Sequence, residues 1–263
     1  MPDPGDHFAA HFEEMDRPLF LSRASLRLRT EGLVTVDGLH RRERILEVAR
    51  LFMRISPHRD SAPDGLTEIR ALGNHHDIRG RAGLGHGELL AHTDGAQHKC
   101  PPRLMLVACA RAAQTGGVPV LTDGSKVYSS LARDHPDALE ALEADRAAFF
   151  GDGAGRFSAV FSPLGRRRVA LALRQDEFAR FSPSVQPFLP ALRAAIKEHA
   201  VALPLRRGQA YLLDNHRWLH ARSGYSGPRL MLRALGGPRP LLALDAGFAM
   251  DSVREADVDL SSC

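Results

Sequence analysis

The chain has 263 residues, with 35 Lys plus Arg against 31 Asp plus Glu, a net charge of +4 and 44% hydrophobic residues. It is long and apolar enough to bury a large core, and no apolar run reaches the roughly 18 residues of a membrane span, so no membrane partner is expected. All but three of the basic residues are arginine, scattered among acids with no run longer than Arg166, Arg167 and Arg168, which argues against a nucleic-acid partner.

Residues 1–25 are polar and broken by prolines, and read as a loosely held arm. They show no basic stretch followed by an apolar one, so no secretory leader is expected. The remaining 26–263 read as a single domain, because no Pro-, Gly- or Ser-rich linker divides them and no internal repeat is visible. Alternation predicts a strand over 33–36, and the spacing of Ile45, Ala49 and Phe52 predicts a helix. Pro57, Pro63 and Gly65 mark a loop, 66–72 alternates as a strand, and 73–87 is a Gly-, His- and Arg-rich loop. An apolar run over 104–110 predicts a buried strand, joined through a Gly116, Gly117 turn to a strand over 118–121 as a hairpin. Ser125 is a candidate cap for a helix carrying Val127, Tyr128 and Leu131, and Pro136 suits the first turn of another. Strands are expected over 157–161 and 168–174, then a helix face at Phe188, Leu192, Ala195 and Ile196. Two last strands, 210–214 and 229–235, enclose a polar loop. Many short strands with few helices predict a mainly β fold with flanking helices, a sandwich or a barrel. Three cysteines (Cys100, Cys109, Cys263) without a C-x-x-C spacing predict a reducing, cytoplasmic setting.

Thirteen histidines raise the question of metal ligation. In an extended segment His92 and Asp94, two apart, project from one face and can address one ion. A further histidine, His220, follows a strand, and the 126 residues from Asp94 fit opposite walls of one barrel. Two histidines and a carboxylate on one face of an octahedron leave three open positions, the arrangement of non-haem Fe(II) oxygenases. Arg229 and Arg233, four apart on a strand, share a face, and a guanidinium fork can hold a carboxylate bidentately.

Three ordered blocks resemble the TauD/clavaminate synthase-like group of Fe(II)/2-oxoglutarate-dependent oxygenases. The first is His92, Thr93 and Asp94 with Pro101, Pro102, an apolar strand and Gly116, Gly117. The second is Asp214, Asn215, His216, Arg217, Trp218, Leu219, His220, Ala221 and Arg222, similar to D-N-x-R-x-x-H-x-R. The third runs from Arg229 to Arg233 and is similar to R-x-x-x-R. The resemblance implies a double-stranded β-helix (jelly-roll) core, Fe(II) on His92, Asp94 and His220, and 2-oxoglutarate with its distal carboxylate on Arg229. Arg233 would line the same cavity or reach the substrate. Relatives carry G-G-D-T where this chain has Gly116, Gly117, Val118 and Pro119. Proline offers neither hydroxyl nor N–H, so Thr122 is the candidate substitute. The implied chemistry consumes O2 and converts 2-oxoglutarate to succinate and CO2 while oxidising a substrate C–H bond; the carboxylate at Asp94 speaks against a halogenase.

On the substrate side, Gln97 and His98 lie just beyond the triplet, and Arg174 with Asp176 resembles the R-Y-D stretch of related amino acid hydroxylases. His75, His76 and His86 read as loop residues near the site, and His216, Trp218 and Tyr225 as packing residues. The expected function is oxidation, by default hydroxylation, of a small polar metabolite. A free or modified amino acid in specialised metabolite biosynthesis, such as an antibiotic pathway, is favoured. The alternatives are a nucleoside, a sugar-derived antibiotic or a peptide residue, or a non-catalytic jelly-roll binding module. The sequence leaves the oligomeric state open.

Overall fold

The computed structural model describes residues 4–71, 82–165 and 167–250; His75, His76, Arg166 and Cys263 lie outside them. The apolar run of β5 (Leu104–Arg111) organises the architecture. With side chains alternating across a strand, Leu104, Leu106 and Ala108 pack on one face while Met105, Val107 and Cys109 pack on the other. A strand buried on both faces has to be apolar throughout, and it forms the middle of the larger sheet. That antiparallel sheet runs β1 (Leu33–Val36), β14 (Ala210–Asp214), β5, β17 (Leu230–Pro238), β2 (Met53–Ile55), with β3 (Thr67–Ile69) also paired to β17.

A second sheet, β13 (Ala200–Ala202), β7 (Pro119–Asp123), β15 (Trp218–Arg222), β4 (Leu89–His92), packs against the first. The interior between them combines Leu33, Met105, Val107, Tyr211 and Met231 from one sheet with Leu121 and Trp218 from the other. Successive strands β14, β15 and β17 alternate between sheets, the winding of a jelly roll. Helices cover both outer faces. α2 (Phe20–Thr30) and α3 (Arg42–Phe52) lie on the larger sheet, and α4 (Gly124–Asp134), α5 (Pro136–Glu143) and α6 (Leu189–Glu198) on the smaller side. Three small sheets complete the rim: β10 (Phe161–Gly165), β11 (Arg168–Leu171) and β18 (Phe248–Ala249); β12 (Ala179–Phe181), β8 (Ala148–Phe150) and β9 (Arg156–Ser158); and β16 (Tyr225–Ser226) with β6 (Thr115–Gly116).

Several local expectations differ from this structure, among them the strand over 157–161, which is split between β9 and β10 of different sheets. Within the expected loose arm of 1–25, the described residues from 4 on are structured: α1 (Pro4–Ala10) precedes α2, whose Phe20, Ala24 and Leu28 enter the core at a spacing of four. The strands after and before Gly116 and Gly117 are not a hairpin, since β5 and β7 belong to different sheets. The expected polar loop between the last strands holds β15. Finally, Asp123, not Ser125, caps α4, its side chain accepting from the Ser125 N–H at 3.0 Å.

Candidate metal and co-substrate site

The site forms on the inner face of the smaller sheet, where β4 and β15 pair with His92 opposite His220. The two imidazoles are therefore neighbours across one strand boundary, not on opposite walls, with ring centroids 4.1 Å apart. Asp94, just past the end of β4, completes a group whose ligand atoms all lie within 4.8 Å of one another. Two buried anchors fix this bend. The Asn215 side chain accepts from the Asp94 N–H at 2.8 Å and donates to the Asp94 and Pro102 carbonyls at 2.9 and 2.7 Å. Thr93 exchanges hydrogen bonds with Leu173, its N–H donating to the Leu173 carbonyl at 2.9 Å and its hydroxyl accepting from the Leu173 N–H at 3.1 Å.

Protonation suits metal binding. His92 Nδ1 lies 2.7 Å from the Leu90 carbonyl oxygen; a carbonyl only accepts, so Nδ1 carries the proton and Nε2 keeps its lone pair. Burial lowers the His92 pKa and, together with the nearby His92, pushes that of His220 to about 3, so both rings are neutral. Burial alone would raise the Asp94 carboxyl. The Arg233 guanidinium is the largest of the influences that outweigh it, and Asp94 is held at about 2, ionised. Two neutral imidazoles and one carboxylate, gathered on one side, fit a six-coordinate divalent ion such as Fe(II).

The two arginines of the last block separate at a bulge between Leu230 and Met231. Arg233 reaches Asp94, one guanidinium nitrogen lying 3.0 Å from both carboxylate oxygens. Arg229 is buried, and its Nε donates to the Gly117 carbonyl at 3.2 Å. The paired glycines make that contact possible. Both have φ near +66°, and a Cβ on Gly116 would meet the Gly224 carbonyl at 2.1 Å. Burial lowers the Arg229 pKa, and among the described residues the titratable groups that act on it are Tyr211, Tyr225, Cys109 and the Arg222 cation, with no carboxylate among them. A buried guanidinium in that state favours an anionic ligand. Arg229 also borders a cavity of about 600 Å³ shared with Arg70, His86 and Arg111.

A model of the taurine catabolism dioxygenase TauD, TfdA family matches residues 7–235. The chain belongs to this dioxygenase family. Among curated relatives of the TauD/TfdA-family chain are the gamma-butyrobetaine dioxygenases of Homo sapiens and Pongo abelii. Each is 25% identical over 170 residues, covering 57% of this chain and 43% of the relative. The chain thus spans less than half the length of those relatives. Solved structures with the same fold include an asparagine oxygenase in complex with Fe(II), 2S,3S-3-hydroxyasparagine and succinate (TM-score 0.65, 16% identity, 89% of this chain and 82% of that one). Two others are OrfP in complex with Fe and alpha-ketoglutaric acid (0.65, 15%, 83% and 78%) and PvcB from Pseudomonas aeruginosa (0.65, 17%, 85% and 84%).

Not every expected residue of this TauD/TfdA-family site meets it. Thr122 faces away: Pro119, Leu121 and Asp123 share the His220 side of β7, whereas Thr122 points to α6, its hydroxyl 3.4 Å from the Ile196 carbonyl. Arg174 and Asp176 pair with each other at 2.5 and 2.7 Å, Gln97 accepts from Arg174 at 3.4 Å, and Asp176 is close enough to sense His92. His98 is exposed and contacts Gln97. His216 stands apart from the triad, and the His86 ring meets Tyr225 in a tilted contact at 4.7 Å. Sequence reading gave no role to Asn215 or Tyr211. The D-N pair flagged the first, while the second sits in an apolar strand and carries no local signal.

Proposed function

We propose that this protein is an Fe(II)/2-oxoglutarate-dependent oxygenase that hydroxylates a small polar metabolite, a free or modified amino acid, in specialised metabolite biosynthesis. His92, Asp94 and His220 would hold Fe(II), and Arg229 the distal carboxylate of 2-oxoglutarate. When bound, Fe(II) supplies O2 activation, coupling decarboxylation of 2-oxoglutarate to succinate and CO2 with oxidation of a substrate C–H bond. The protein's own part is positioning. Asn215 and Thr93 fix the ligand bend, Arg229 orients the co-substrate, and Leu121, Trp218 and Met231 keep water from the inter-sheet space.

The observation that carries the substrate class is the Arg174 and Asp176 pair, tied to the metal triplet through Leu173 and Thr93 and bordered by Gln97. One cation and one anion beside His92 match the carboxylate and ammonium of a zwitterion. The asparagine oxygenase and OrfP, whose solved complexes hold 3-hydroxyasparagine and (3S)-hydroxy-L-Arg, lend this reading support. The free thiols of Cys100 and Cys109 favour a reducing, cytoplasmic setting. The test is a panel of free amino acids with Fe(II), 2-oxoglutarate and O2. One member should stimulate succinate release and gain the mass of one oxygen; stimulation by nucleosides or peptides alone would refute the amino acid assignment.

A further inference from the structure

Pro119 offers neither the hydroxyl nor the N–H of the family threonine, and Thr122, turned toward α6, does not replace it. Candidates come from the groups around the guanidinium. Tyr211 lies on β14, opposite Val107 of β5, which is opposite Arg233 of β17. Residues directly opposite across paired strands share a face, so Tyr211, Val107 and Arg233 form one rung across the inner surface of the larger sheet. Tyr211 is 3% exposed, and the charges that reach its hydroxyl are those of Arg229, Asp94 and Arg233. Tyr211 therefore shares the face on which Arg233 meets Asp94 and lies within electrostatic reach of Arg229, the two ends that a five-carbon dicarboxylate would connect. Tyr225 differs. It lies on β16, outside the two main sheets, its ring 5.5 Å from Arg229 and 4.8 Å from Arg222, with the His86 ring tilted against it at 4.7 Å. Tyr225 packs against Arg229 from the side of Arg222 and His86.

We propose that the Tyr211 hydroxyl joins Arg229 in holding the distal carboxylate of 2-oxoglutarate, taking over the contact that a threonine at position 119 makes in the resembling family. The inference rests on the oxygenase reading above. A phenol suits the task because burial pushes its pKa up, so it stays an O–H donor throughout the working range. A hydroxyl and a guanidinium then converge on two carboxylate oxygens in a dry space, where charge-assisted hydrogen bonds are strong.

The test uses full-length protein loaded with Mn(II) under calorimetry, with two ligands. 2-Oxoglutarate has the distal carboxylate; 2-oxopentanoate keeps the chelating end and chain length and lacks it. Tyr211→Phe should weaken 2-oxoglutarate by about ten- to a hundredfold, the worth of a hydrogen bond to a charged group, and leave 2-oxopentanoate within about twofold. Unchanged 2-oxopentanoate binding also reports that the variant's site is folded. In turnover, KM for 2-oxoglutarate should rise while kcat at saturation is retained. Equal weakening of both ligands, unchanged 2-oxoglutarate binding, or a selective loss in Tyr225→Phe but not in Tyr211→Phe would each overturn the inference and leave the oxygenase reading intact. Wild-type protein that binds neither ligand would overturn both.

Discussion

Asp94 is the residue on which the site's electrostatics turn, because two kinds of cation compete for it. In the metal-free protein the compensating charge comes from Arg233, with both side chains largely buried. Removing one partner of such a pair leaves an uncompensated carboxylate and costs about 3–5 kcal/mol. A divalent ion on His92, Asp94 and His220 would restore the balance. Arg233→Gln should therefore lower the stability of metal-free protein by about that amount in urea unfolding, and Mn(II) should recover more of it than it adds to wild type. A metal-induced gain no larger than wild type's would contradict this competition. The cluster of His92, Asp94 and His220 was legible from residue types and spacing: His92 and Asp94 from the i, i+2 rule, His220 from its motif. The Arg233 contact was not. Strand alternation assigns a side chain to a face, but its partner across the inter-sheet space depends on sheet packing and on the bulge at Leu230 and Met231.

Among the elements, α2 and β15 were missed for opposite reasons. Within α2 the buried Phe20, Ala24 and Leu28 follow a helical period, but arginines at 23, 27 and 29 and the prolines before it give the segment a polar average. Its apolar stripe nevertheless closes one face of the larger sheet, where the Phe20 ring meets Phe52 edge-on at 5.9 Å. Phe20→Ala should cost about 3–5 kcal/mol through the cavity it leaves, read as a lower urea midpoint at unchanged slope; a change under 1 kcal/mol would show the helix to be dispensable, as expected of a loose arm. In β15 the inward positions are Trp218, His220 and Arg222. A strand whose inner face is functional lacks the apolar alternation that reveals strands, so the site itself hid the element that carries it. The Gly116, Gly117 turn misled differently: turn chemistry is local, whereas which sheet the chain enters next is set by long-range pairing.

For the whole molecule, the layered arrangement of helices on two packed sheets was legible as a β class from short strands, and its jelly-roll winding only through the family resemblance. Layering also buries titratable groups on a common pattern. His11, His92, His216 and His220 all have pKa values lowered, chiefly by burial. Such histidines bind fewer protons folded than unfolded. Their contribution is complete above the unfolded value of about 6.5 and is lost as pH falls below it. Asp94, also lowered, adds a loss in the same direction at more acidic pH. Metal-free protein should thus lose stability steadily from pH 7 to 5 in urea unfolding, and His216→Asn should flatten that slope; a rise on acidification would contradict the burial of these rings as neutral bases. The most direct test of the central claim is the stoichiometry of turnover. With Fe(II), O2 and an accepted amino acid, wild type should form succinate and oxidised product in equal amounts. Asp94→Ala of wild-type-like circular dichroism should form neither, whereas full succinate release from that variant would contradict the assignment of His92, Asp94 and His220 as the metal site.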